Sequence, residues 1–179
     1  NGDGAVTNHG TAANNEISLF WIHLAQAGLI QGNFTNLGGT TMTAGTNVPR
    51  AKANQATWNV IGLGTVSAAG APSVTNVTTP ATTTFYDGTY GTAFLIGTGT
   101  NAILPTGMLK SEEAWNIDTK MDDGKPSTGS VKTLESQGSA SAGAGCGNLA
   151  TANTTLVAAI YDLANTRATA CSLVINSGY

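Results

Sequence analysis

The spacing of apolar positions predicts one clear amphipathic helix near the start of the chain. Four apolar residues fall at i, i+3, i+4 and i+7, which places them on one helical face. They are Ile17, Phe20, Trp21 and Leu24. Asn14 or Asn15 is suited to cap the first turn, and Gly28 is suited to stop the last one. We therefore expect a helix from Glu16 to about Gly28.

Residues 31–56 carry no sustained period, because glycines, asparagines and a proline interrupt every start. We interpret this stretch as a long irregular surface loop. Beta signals follow at 57–66 and 91–98, which are rich in branched and aromatic residues, with 82–87 between them. These three runs predict a meander of antiparallel strands. The Pro-, Ala- and Thr-rich stretch 68–82 is typical of a loop or a poor edge strand.

A second helix is predicted to start near Pro105 or Thr106 and to end around Asp122. Gly124 followed by Pro126 supplies its stop signal. We expect its apolar side to consist of Met108, Trp115, Ile117 and Met121. The small, polar stretch 127–155 then predicts a loop held at Cys146.

The end of the chain has two apolar runs, at 156–163 and 170–176. The second is the better strand, because Cys171, Leu173 and Ile175 alternate with polar residues. The only two cysteines, Cys146 and Cys171, are typical of one disulfide in an external protein, although two unrelated buried thiols would also fit. Together these elements predict a single α+β domain over 1–179, in which a helix packs on an antiparallel sheet of about four to five strands.

The amino-acid composition limits the classes of function that the chain could have. Charged residues make up 9% of the 179 positions, against roughly a quarter in an average soluble protein. Hydroxyl and amide groups must then cover the surface, which suits packing against copies of the same chain or exposure to the external medium. The seven basic residues are scattered, so the clustered basic face of a nucleic-acid binder is absent. No run approaches the ~18 to 20 apolar residues of a membrane-spanning helix.

Two stretches resemble the soluble regions of type IV pilins and type II secretion pseudopilins. One is EEAWNIDTKMDDGKPSTGSVKT at 112–133, which is similar to the helix and Asp-Asp-Gly turn that many such proteins carry before a Cys-bearing end. The other is NGDGAV at 1–6, followed by ISLFWIHLAQAGLIQGNF at 17–34. Paired cysteines near the C-terminus complete the resemblance, which covers about a third of the chain.

This resemblance implies a structural subunit of an extracellular type IV pilus-like filament, with the periplasm as the alternative location. Its partners would be copies of itself. The family begins with a long apolar helix, so we expect that helix to have been removed or to come from a separate short helical pilin chain. The alternative functions are a minor pseudopilin of a type II secretion system and a secreted adhesin or carbohydrate-binding module. In the last case Tyr86, Tyr90 or Trp58 would be exposed beside amides. The alternative for the three tryptophans, Trp21, Trp58 and Trp115, is a place in the hydrophobic core.

The sequence offers no convincing catalytic group, and we expect no enzyme activity. His9 and His23 are isolated, and no G-x-S-x-G motif supplies an activated serine. The only acidic cluster lies on one short segment, where carboxylates rarely face each other across a cleft. It consists of Glu112, Glu113, Asp118, Asp122 and Asp123. We expect a solvated face and a turn at 122–124.

No cofactor is expected, although calcium is possible. Asp3, or the turn of Asp122 and Asp123, offers hard oxygen ligands beside glycines, but neither segment matches the twelve-residue EF-hand loop. No ligands are therefore assigned. Three N-x-Ser/Thr sequons could accept a glycan, at Asn33, Asn76 and Asn153, but a chain rich in Thr and Asn generates such triplets by chance.

Overall fold

The structure is a computed structural model of the chain. It describes residues 6, 16–35, 41–53, 56–67, 71–72, 85–86, 88–98, 106–134, 145–148, 159–164, 166 and 168–177. Several residues that the sequence analysis singled out lie outside these ranges. They are Asp3, His9, Asn14, Asn15, Asn76, Pro105 and Asn153.

The first helix, α1, spans Glu16–Gln26 and confirms the amphipathic prediction. Its apolar face is buried at Ile17 and Trp21. The Phe20 ring meets the Trp21 ring edge-on at 4.9 Å between centroids, and it lies 6.2 Å from the Phe94 ring of the sheet. The helix ends where the chain turns at Gly28, whose φ of 71° is a left-handed conformation that favours glycine.

The sheet has five antiparallel strands in the order β2-β1-β3-β5-β4. They are β1 (Thr57–Ser67), β2 (Ala71–Pro72), β3 (Gly88–Gly97), β4 (Val131–Thr133) and β5 (Leu173–Asn176). Because α1 packs against β1, the predicted α+β class and helix-on-sheet arrangement are confirmed. The C-terminal strand lies between β3 and β4, so the end of the chain is tied into the sheet.

The order of the strands corrects the predicted meander. β1 pairs directly with β3, with Trp58 opposite Ile96 and Val60 opposite Phe94. Of the run 82–87 the structure describes only residues 85 and 86, and Phe85 makes an isolated bridge to Leu134. The two-residue β2 at the edge agrees with the prediction of a poor edge strand. β4 was missed altogether, because three residues are too few to show an alternating pattern.

Residues 31–56 have no helix or multi-residue strand where the structure describes them, as predicted, but the surface location was wrong. Phe34, Met42 and Val48 are buried in the same apolar core as residues of α1, β1 and β3. Neighbouring Val60 and Ile61 of β1 are both fully buried, so the middle of the sheet is covered on both faces. An irregular segment can fill a core in this way when a few large apolar side chains anchor it.

The second helix, α2, spans Ser111–Met121, so its predicted start at Pro105 or Thr106 was about five residues early. Thr106 pairs with Thr98 and Leu109 pairs with Cys171, which keeps 106–109 extended. The Glu113 carboxylate accepts the Lys110 backbone N–H at 2.9 Å and so fixes the first turn. Neither helix within the described ranges has the length and apolar character that crossing a lipid bilayer requires.

Candidate functional site

The inner face of α2 is small and polar. Ser111, Ala114 and Asp118, at i, i+3 and i+7, have no exposed surface. Trp115 and Met121, which we expected on the apolar side, are 37% and 59% exposed instead. The helix therefore lies against β4 through short side chains, which allow a close approach. Of the residues expected on its apolar side, Ile117 is half-buried against the core as predicted.

The buried Asp118 carboxylate joins α2 to the segment before the last strand. The Tyr161 hydroxyl donates to Asp118 Oδ2 at 2.7 Å, and the Gly124 N–H donates to Oδ1 at 3.2 Å. Burial raises the pKa of Asp118 to about 6, the two hydrogen bonds oppose that rise, and the nearby charges of Asp123 and Asp122 add to it. Burial and the neighbouring carboxylate also raise the pKa of Tyr161.

The predicted turn at 122–124 is present and hydrogen-bonded. Asp122 Oδ2 accepts the backbone N–H groups of Ser130 and Val131, the latter at 3.1 Å. Asp123 accepts the Lys125 N–H at 2.9 Å and the Thr128 hydroxyl. These bonds connect the end of α2 to the start of β4. The carboxylates therefore serve as turn caps.

The three aspartates 118, 122 and 123 bring one ligand atom each within 4.8 Å of one another. Such a set of hard oxygens is of the type that calcium prefers. Each carboxylate, however, already accepts hydrogen bonds from the chain, and those bonds account for its position. The calcium expectation therefore stays a prediction. The acids lie on one turn, and they do not face each other across a cleft.

The predicted disulfide joins Cys146 to Cys171, with Cα atoms 4.8 Å apart. The Met108 and Leu109 N–H groups both donate to the Cys171 carbonyl, at 2.7 and 3.0 Å. On the other side, the Asp162 N–H donates to the Cys146 carbonyl at 3.0 Å. The disulfide thus connects three segments: residues 108–109 before α2, Cys171 before β5, and the segment that carries Tyr161.

The tyrosines that would have formed a sugar-binding platform are buried. Tyr86 and Tyr90 are each about 1% exposed, and Trp58 is partly buried. The Tyr90 hydroxyl donates to the Tyr86 carbonyl at 2.9 Å. The ammonium of Lys132 lies 4.3 Å from the centre of the Tyr90 ring, and burial lowers its pKa against the opposing charges of nearby aspartates. This aromatic group is a core element.

Other residues considered for chemistry are dispersed. His23 is exposed on α1, and Glu112 and Glu113 are exposed on the first turn of α2. Asn33 is also exposed, beside the buried Phe34. The structure does not bring His23 together with the acidic turn, since α1 lies against β1 and α2 lies against β4.

Comparison of the chain with models of known protein families, with curated proteins and with solved structures gave no match. The functional argument therefore depends on the chain's own residues. The link between Tyr161 and Asp118, 43 positions apart, is the feature that sequence reasoning missed. A polar aromatic residue in the middle of the apolar run 156–163 was its only signal.

Proposed function

We propose that the chain is the head domain of a type IV pilin-like subunit, which acts by packing against copies of itself in a filament outside the cell. One observation carries the proposal. A helix lies on an antiparallel sheet whose C-terminal strand is held by a disulfide, Cys146–Cys171, and this is the arrangement that the resemblance implies. Binding to neighbours is then the activity, without catalytic turnover.

The surface supports assembly. With 9% charged residues and a net charge of -3, copies of the chain repel one another weakly. Exposed large apolar residues within the described part of the chain include Leu29, Ile160 and Leu163. Hydroxyls and amides around them can exchange water for partners at low cost, provided that each finds a hydrogen bond.

A filament of this kind also needs an apolar helix for its centre. The resemblance implies that such a helix precedes the head in the family, so it would belong to the same polypeptide or to a separate short helical chain. Either source gives the same assembly. The apolar helix would pack in the filament centre and the head described here would face outward.

Two other functions are alternatives to the filament subunit. A minor pseudopilin would share the fold and would occupy the periplasmic tip of a short fibre, where one copy contacts few others of its kind. A carbohydrate-binding module is less well supported, because Tyr86 and Tyr90 are buried and cannot stack on a sugar.

Electron microscopy of native material, combined with intact-mass analysis of every polypeptide in it, tests the proposal. We expect regular fibres that contain this chain together with an apolar helix, covalently attached or separate. Fibres in which the chain is a trace component would favour the pseudopilin alternative. A monodisperse monomer with no fibres and no helical companion would refute the filament function.

A further inference from the structure

The first sequon of the chain, Asn33-Phe34-Thr35, has no part in the proposed function. An N-x-Thr triplet is the acceptor sequence of N-linked glycosylation, but in a chain rich in Asn and Thr such triplets also arise by chance. The folded structure distinguishes the two cases. A working acceptor must lie at the surface, because a bulky, hydrated glycan cannot be placed in a core.

Both side chains that the sequon requires are at the surface. Asn33 and Thr35 are exposed, whereas Phe34 between them is buried in the apolar core to which α1 contributes. The Thr35 N–H donates to the Thr46 carbonyl at 2.9 Å, and the Thr35 hydroxyl makes only a long contact of 3.4 Å with the same carbonyl. The backbone of the sequon is therefore held in place, while its amide and hydroxyl stay accessible.

The side-chain amide of Asn33 has no structural task in the described part of the chain, where it makes no hydrogen bond. Other asparagines differ, because three of them bind backbone groups through their amides and a fourth is fully buried. They are Asn47, Asn148, Asn176 and Asn59. Attaching a sugar to the Asn33 nitrogen therefore breaks no hydrogen bond of the described structure.

An open groove of about 290 Å³ adjoins Asn33 at the end of α1. It carries no charged residue and exposes more polar than apolar surface. The lining residues are Ile22, Ala25, Gln26, Gly32, Asn33 and Phe34. Its volume is at the lower end of the range for small-ligand sites, about 300 Å³. The groove therefore leaves the first sugar of a glycan room beside the attachment point.

We propose that Asn33 is the attachment site of an N-linked glycan. The donor is a lipid-linked oligosaccharyl diphosphate, and a membrane-bound transferase supplies the catalysis. The bond between Asn33 Nδ2 and sugar C1 forms, the bond between C1 and the phosphate oxygen of the donor breaks, and the lipid diphosphate leaves as Nδ2 loses one proton. This inference rests on the location outside the cytoplasm that the proposed function includes, but not on filament assembly.

The disulfide and the charge of the chain agree with this modification. Disulfides such as Cys146–Cys171 persist in the oxidising compartments outside the cytoplasm, where sequons are glycosylated in secreted proteins. With a net charge of -3 and 9% charged residues, the chain has little charge repulsion to keep it soluble. A hydrated glycan supplies solubility without charge, and in a filament it keeps the groove at the outer surface.

Mass spectrometry of the native protein tests the proposal. Proteolytic peptides that contain Asn33 should be heavier than their sequence by whole sugar residues, and fragmentation should place the added mass on the Asn33 side chain. Peptides with Asn33 unmodified throughout mature native material would overturn the inference. Sugar found only on a serine or threonine would overturn it as well.

Variants produced in the same cells test the dependence on the sequon. Asn33→Gln and Thr35→Ala should each abolish the added mass, whereas Thr35→Ser keeps a hydroxyl and should retain it. Asn116→Gln is the matched control, because Asn116 is exposed on α2 and has Asp118 instead of a hydroxyl residue two positions later. It should leave the glycan unchanged. Added mass that persists in Asn33→Gln would contradict the assignment, and thermal unfolding confirms that each variant folds.

The outcomes separate this inference from the proposed function. Regular fibres built from chains that are unmodified at Asn33 would refute the glycan and leave the filament function intact. A glycan on Asn33 of a protein that stays a monomer, with no fibres in native material, would support the inference and refute the filament function.

Discussion

Asp118 is the most informative residue to perturb, because its carboxylate has no exposed surface and connects α2 to the disulfide-bound segment. Hydrogen bonds from the Tyr161 hydroxyl and the Gly124 N–H lower its pKa, and the carboxylates of Asp123 and Asp122 raise it. Burial is the largest cause, and the net result is a pKa of about 6 against an ordinary value of 3.8.

The sign of the pH effect follows from this direction. A raised pKa means that the folded state holds the proton of Asp118 more tightly than the unfolded state does. The stabilisation is fully present below about pH 4 and is lost as the pH rises through about 6. A difference of about two units corresponds to about 3 kcal/mol in the free energy of unfolding.

Urea unfolding of the oxidised protein, followed by tryptophan fluorescence from pH 3.5 to 7.5, measures this effect. Asp118→Asn keeps the shape of the side chain but cannot ionise. Subtracting the free energy of unfolding of the variant from that of the parent cancels the other carboxylates. The difference should fall by about 2 kcal/mol between pH 4 and pH 6.5.

Tyr161→Phe provides the matched test. Removing the hydroxyl takes away a hydrogen bond that lowers the pKa of Asp118, so the loss of stability should extend to higher pH than in the parent. A difference curve that stays flat with pH for Asp118→Asn would refute the reasoning. It would mean that the carboxylate is well solvated in the folded protein.

Three further predictions concern stability. Replacing Cys146 and Cys171 by serine should lower the free energy of unfolding by about 3.5 kcal/mol, because the disulfide closes a loop with a sequence separation of 25, and an unchanged urea midpoint would contradict this. Gly129→Ala should destabilise more than Gly28→Ala, since both have φ near 72° but only at Gly129 would a Cβ overlap an aspartate carboxylate; equal urea midpoints would rule out the overlap. Asn59→Leu should raise the free energy of unfolding by about 1 kcal/mol, and with it the melting temperature. The reason is that neither polar atom of this buried amide has a hydrogen-bond partner in the described part of the chain. A lower melting temperature would point to a partner for the amide.

Strong local patterns were predicted well. The stripe of α1 and the alternation of β5 show a period, and the runs of β1 and β3 are rich in branched and aromatic residues. The disulfide needed only an even cysteine count. The end of α2 was also close, because Gly124 has a φ of 72° that other residues rarely adopt.

Errors arose where contacts distant in sequence decide the structure. The start of α2 was wrong because Thr106 and Leu109 pair with Thr98 and Cys171 instead of entering the helix. The prediction that Trp115 and Met121 lie on the buried side of α2 was wrong, because the position of the helix against β4 favours small side chains there. The candidate site could be predicted only as a turn, and the hydrogen bond from Tyr161 to Asp118 could not be predicted.

The sequence by itself determined the class of the fold, its main helix and strands, its disulfide and its nearly uncharged surface, since these follow from periodicity and composition. Only the tertiary structure decided the strand order, the burial of 31–56 around Phe34 and Val48, and the meeting of Asp118 with Tyr161. Local patterns specify which face of an element is apolar. Which partner covers that face depends on how the whole chain packs, and no local pattern encodes it.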